Sequence, residues 1–129
     1  MSNILKALYI LNKKENNISR RTNTNKIFSE LVNIINENYS EITSLSELCE
    51  ITHFCPSYIN RIFKENIGLS PYKFIIGKKL NAAKEALISG MNVSDACECA
   101  GFESYSNFIT LFRKNFNITP RVFKTINSN

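Results

Sequence analysis

Val93-Ser-Asp-Ala-Cys-Glu-Cys-Ala-Gly-Phe102, Ser104-Tyr-Ser-Asn-Phe-Ile-Thr-Leu-Phe-Arg113 and Ile118-Thr-Pro-Arg-Val-Phe123 restate, about 48 residues on, a pattern already present at Leu45 to Phe54, Cys55 to Lys64 and Leu69 to Phe74. One extra residue, Glu103, in the second turn brings nine positions into identity: Ser46/Ser94, Cys49/Cys97, Glu50/Glu98, Phe54/Phe102, Ser57/Ser106, Phe63/Phe112, Asn66/Asn115, Pro71/Pro120 and Phe74/Phe123. Each copy reads as a helix, a tight turn and a second helix. Two copies are too few for a solenoid, which needs at least three units to bury a continuous core. They suit a protein that reads two places on one long ligand.

Working outward, apolar residues recur with a period near 3.6 throughout, and no period-two run is long enough for a strand. The expected fold is therefore all-α, with seven helices. The first is expected over 25–39, with Ile27, Phe28, Leu31, Ile34 and Ile35 on one face. The second opens on a capping box, Ser44 with Glu47 three residues on, and turns Leu45, Leu48 and Cys49 inward. Pro56 suits the first position of the third, which buries Ile59, Ile62 and Phe63. Ser70-Pro71 opens the fourth, with Phe74, Ile75, Leu80, Ala83 and Leu87 inward and an end near Gly90. Asn92 with Asp95 begins the fifth; Ser104 begins the sixth, burying Phe108, Leu111 and Phe112; Thr119-Pro120 begins a short seventh. The first helix of the later copy must end with positive φ at Gly101, and its partner in the earlier copy is His53. The single histidine is thereby read as a turn residue rather than a catalyst.

The organisation expected is a leader or remnant of an interdomain linker at 1–24, a first helix-turn-helix subdomain at 25–70, a linker helix at 71–89 and a second subdomain at 90–127. In the leader, Ile4, Leu5, Leu8 and Leu11 form a short apolar stripe ahead of a polar, basic stretch from Lys13 to Asn25.

The formal charge is +5, and its placement says more than its size. Beyond Ser104 stand Arg113, Lys114, Arg121 and Lys124 with no acid, while Glu41, Glu47, Glu50, Asp95 and Glu98 gather on or before the first helix of each copy. Basic second helices behind acidic first helices make a polyanion-binding face, because neutralised phosphates release condensed counterions. The four cysteines offer only Cys-x-Cys and one His, not zinc spacing, and Cys49 and Cys97 occupy matching inward positions where a free thiol acts as a small hydrophobe. No cofactor or metal is expected. Charge interrupts every apolar stretch, so neither a membrane span nor a secretory signal is read, and the expected location is the cytoplasm.

The run from Gly101 through Ser106, Phe108, Phe112, Arg113, Lys114 and Phe116 to Thr119-Pro120 closely resembles the signature of the AraC/XylS family of transcription regulators, and 44–74 resembles that family's first helix-turn-helix. The resemblance implies two helix-turn-helix units joined by a rigid linker helix, each offering its second helix to a major groove of double-stranded DNA. It also implies a non-enzymatic regulator, usually an activator that touches RNA polymerase, and, in longer members, an N-terminal effector or dimerisation domain. The candidate base-reading residues are Ser57, Tyr58, Asn60 and Arg61 in the earlier copy and Tyr105, Ser106, Ile109 and Thr110 in the later one. Asn60 matches the edge of adenine, and Arg61 that of guanine. Lys64, Arg113 and Lys114 are better placed for phosphate. Family members commonly carry Arg where this chain has Thr110 and a polar residue where it has Ile109, so the sixth helix is expected to clamp phosphate and touch thymine methyls more than read guanine. Cys55 replaces the usual capping Ser, and Gly77 stands where members carry a charged or polar residue, which makes the linker helix a place to flex. The alternatives are a fragment of a larger effector-sensing regulator and, from a different class, a cysteine-based redox or metal sensor.

Overall fold

The computed structural model describes residues 20–127, and among them it contains seven α-helices and no strand. These are α1 (Arg20–Asn38), α2 (Leu45–Thr52), α3 (Pro56–Ile67), α4 (Pro71–Ile88), α5 (Val93–Ala100), α6 (Tyr105–Phe116) and α7 (Pro120–Asn127). The apolar stripe at Ile4 to Leu11 lies outside the described residues. Helix α1 starts five residues before the expected 25, because Arg20 to Thr24 carry no apolar face by which periodicity could find them.

The chain divides after Ile75 into two compact units. In the first, α1 and α2 pack on α3. Its core joins Ile27, Leu31, Ile34 and Ile35 of α1 to Leu48 of α2, to Ile59, Ile62 and Phe63 of α3, and to Ile42, Phe54 and Ile75. Phe63 lies between Phe28 and Phe74, with ring centroids 5.2 and 5.6 Å away. In the second unit, α7 packs on both α5 and α6. Leu80, Ala83 and Leu87 of α4 meet Ala96, Cys97 and Ala100 of α5 and Phe108 and Phe112 of α6. The three small side chains of α5 leave room for those rings. Phe112 lies 5.6 Å from Phe123, the same separation as Phe63 from Phe74. Leu111, expected to be buried, is half-buried on the rim of this core.

Helix ends follow the capping chemistry closely. Ser44, Asn92 and Ser104 each accept from the backbone N–H three residues on, at 3.4, 2.7 and 3.1 Å. The Glu47 carboxylate completes the cap differently from an ordinary capping box, accepting from the backbone N–H and hydroxyl of Thr43 rather than from Ser44. His53 and Gly101 both adopt the left-handed region, at φ 62° and 92°.

Candidate nucleic-acid interface

Each unit holds its outer helix by a different device at the turn. In the first, the buried Thr52 hydroxyl donates to the Leu48 carbonyl (2.9 Å) and accepts from the Phe54 N–H (3.3 Å), bracketing the left-handed His53. In the second, position 52 is matched by Ala100, and the buried Lys79 of α4 instead donates to the Gly101 carbonyl at 2.9 Å, its Nζ 5.9 Å from the centre of the Phe102 ring. Neither Thr52 nor Lys79 is visible to a pattern search, since nothing in the local sequence marks a polar side chain as buried.

Both outer helices are 12 residues long, with three inward anchors in α3 and two in α6. On α3, Ser57, Arg61 and Lys64 are exposed, while Asn60 and Tyr58 are half-buried. Tyr58 leans edge-on against Phe54, 5.0 Å between centroids, and so is partly a core residue. Over its ring sits the Arg61 guanidinium, 5.3 Å from the centroid, and one turn on Glu65 approaches Arg61 Nε at 3.9 Å. The sequence reading passed over Glu65, although a carboxylate four residues after an arginine is a recognisable helix pair.

On α6, Tyr105, Ser106, Thr110, Arg113 and Lys114 are exposed. Ile109 is half-buried against the second core, which leaves only part of it available to a thymine methyl. Thr110 turns its hydroxyl back to the Ser106 carbonyl at 3.0 Å, so its donor is engaged within the helix and its oxygen remains to accept. Ser106 Oγ lies 3.2 Å from Ser104 Oγ, as Ser57 Oγ lies 3.3 Å from Cys55 Sγ. The matching position in each copy thus leans on its own cap. Acids collect on the other helix of each unit: Glu47 and Asp95 serve helix starts, and Glu50 and Glu98 are exposed. The outer faces are consequently basic, apart from Glu65.

All four cysteines are free. Burial pushes the Cys49 and Cys97 thiols up, whereas the Ser57 hydroxyl and then the Tyr58 N–H hold the exposed Cys55 thiol below its ordinary value. Among the described residues no three His, Cys, Asp or Glu side chains form a group that would hold a metal ion, and no helix is long and apolar enough to cross a membrane.

Comparison with known proteins agrees with this geometry. The family described as "Helix-turn-helix domain" matches residues 48–126. The bifunctional transcriptional activator/DNA repair enzyme AdaA of Bacillus subtilis is 33% identical over 108 residues, which cover 80% of this chain and 51% of AdaA. The chain therefore spans about half the length of that relative. Among solved structures, the C-terminal domain of the two-component response regulator yesN from Fusobacterium nucleatum is 31% identical with a TM-score of 0.70, covering 77% of this chain and 98% of that one. A transcriptional regulator of the AraC-type DNA-binding class from Chromobacterium violaceum is 25% identical with a TM-score of 0.68, covering 78% and 91%. With two helix-turn-helix units built on one repeated scaffold and a family match that takes in both, the chain belongs to the AraC/XylS family of transcription regulators and carries its DNA-binding domain.

Proposed function

We propose that this chain recognises a specific double-stranded DNA site by inserting α3 and α6 into successive major grooves, and that it acts as a non-catalytic activator of transcription in contact with RNA polymerase. One observation carries the recognition: the same scaffold occurs twice, and each time its outward helix presents exposed hydrogen-bonding side chains followed by basic ones. In α3 the reading set is Ser57, Tyr58, Asn60 and Arg61, with Lys64 on phosphate. In α6 it is Tyr105, Ser106, Thr110 and the exposed part of Ile109, with Arg113 and Lys114 on phosphate. Major-groove edges distinguish all four base pairs, so a short set of this kind suffices for specificity.

The division proposed is 25–70 for the first subdomain, 71–89 for the linker helix and 90–127 for the second.

The test is footprinting on a duplex selected by the protein from a randomised library, with the salt dependence of binding measured alongside. Two protected major-groove segments about one helical turn, or 34 Å, apart are expected, with one chain per minimal site. A single protected segment, or two chains per minimal site, would overturn the two-headed reading. Binding that does not weaken with salt would overturn the assignment of Lys64, Arg113 and Lys114 to phosphate. In a reconstituted transcription assay an activator raises output from a promoter carrying the site; lowered output would make the chain a repressor.

A further inference from the structure

The geometry points to Glu65 as a specificity-determining residue that aims Arg61 at a base edge and keeps it off the phosphates. The inference rests on the proposed reading of Arg61 as a base-contacting residue.

Three features carry it. Arg61 is held from two sides, with the Tyr58 ring beneath its guanidinium at 5.3 Å and Glu65 Oε1 beside it at 3.9 Å. The ring is itself fixed, since Tyr58 is half-buried against Phe54. The carboxylate approaches Nε, the guanidinium nitrogen nearest the chain, which leaves the two terminal amines for the paired O6 and N7 acceptors of guanine. A guanidinium that left this seat for a phosphate would give up both the ring and the carboxylate. Glu65 therefore taxes the wrong contact and spares the right one.

The repeat supplies the contrast. Glu65 occupies the register that Lys114 holds in α6, where position 61 is matched by Thr110. The helix that carries the arginine carries the acid; the helix without the arginine carries a second cation in its place.

Both side chains are more than half exposed, so the pair is weak and the expected effect is modest, about two- to threefold. The experiment measures Kd for wild type, Arg61→Ala, Glu65→Gln and the double variant. The probes are a duplex recovered by the wild-type protein from a randomised library, its single base-pair substitutions, and a scrambled duplex. For Glu65→Gln, binding to the scrambled duplex should tighten about two- to threefold, and the penalty at the base pair sensed by Arg61 should shrink by a similar factor. In the Arg61→Ala background Glu65→Gln should leave that penalty unchanged. Equal tightening on every duplex would show Glu65 to be only a repulsive surface charge and overturn the inference, leaving Arg61's role standing. An Arg61→Ala protein that lost no base preference would instead remove the base-reading role and this inference with it.

Discussion

Asn66 of α3 donates to the Ile62 carbonyl and Asn115 of α6 to that of Leu111, both at 2.8 Å; Ser70 and Thr119 each cap the following helix at 3.2 Å. At these helix ends the two helix-turn-helix units thus repeat at the level of single hydrogen bonds, and their cores repeat the Phe63/Phe74 and Phe112/Phe123 ring pairs. On their outer sides they part: Asn60, Arg61 and Glu65 in the first are matched by Ile109, Thr110 and Lys114 in the second. The inner side must satisfy close packing, which admits few solutions. On the proposed reading the outer side answers to a ligand, and two segments of one site need not be alike. A rigid common frame with divergent faces lets each head be tuned without disturbing the fold.

The largest effects should come from breaking the shared frame. Phe63→Ala and Phe112→Ala each remove a fully buried ring and should cost about 3–5 kcal/mol in chemical denaturation followed by circular dichroism. Similar costs would uphold the equivalence of the two units. A loss confined to one would show that the other unit's core tolerates collapse better.

The outer faces are separated by Arg61→Ala and Lys114→Ala. The first should cost about 1–3 kcal/mol on the selected duplex and relax preference at one base pair. The second should weaken selected and scrambled duplexes alike and lower the salt slope by about one. Uniform losses in both would erase the distinction between a reading head and a clamping head.

The turns give a third comparison. Gly101→Ala forces a Cβ into the left-handed region and should cost about 1–2 kcal/mol, whereas His53→Gly relieves that strain and should add about 0.5–1 kcal/mol in thermal unfolding. A destabilised His53→Gly protein would mean that the imidazole contributes more than its backbone conformation costs.

The smallest effect is expected at Gly77, an exposed position in α4 between Ile75, which enters the first core, and Leu80, which enters the second. A Cβ there meets nothing within 4 Å, so Gly77→Ala should stabilise the free protein by up to about 1 kcal/mol. If the glycine serves as a hinge, DNA affinity or bend angle will change with it in a bend-sensitive gel shift. An unchanged gel shift would retire the hinge.

Much of the scaffold was legible without coordinates. Caps at Ser44, Asn92 and Ser104, the proline at the start of α3, and the glycine that ends α5 act over three or four residues, so the chain states them locally. Apolar periodicity marked the inner faces because burial and helical pitch leave the same trace in any soluble helix. The start of α1 escaped because Arg20 to Thr24 offer no apolar residue that periodicity could register.

For the interface, residue type and register named the outward faces of α3 and α6, and the repeat showed where they differ. What only the tertiary structure decided was how far the cores claim the interface: Tyr58 and Ile109 are half taken by them, whereas the Thr110 bond to Ser106 and the seat of Arg61 between Tyr58 and Glu65 are made within a single helix. Lys79 and Thr52 were decided there too, since a polar group is buried only where a distant or backbone partner satisfies it. Lys79 and Gly101 are 22 residues apart, and no local pattern carries their pairing. Sequence determines what each residue can offer over one turn of helix; the fold determines which offers are already taken, because packing brings together groups that the chain keeps far apart.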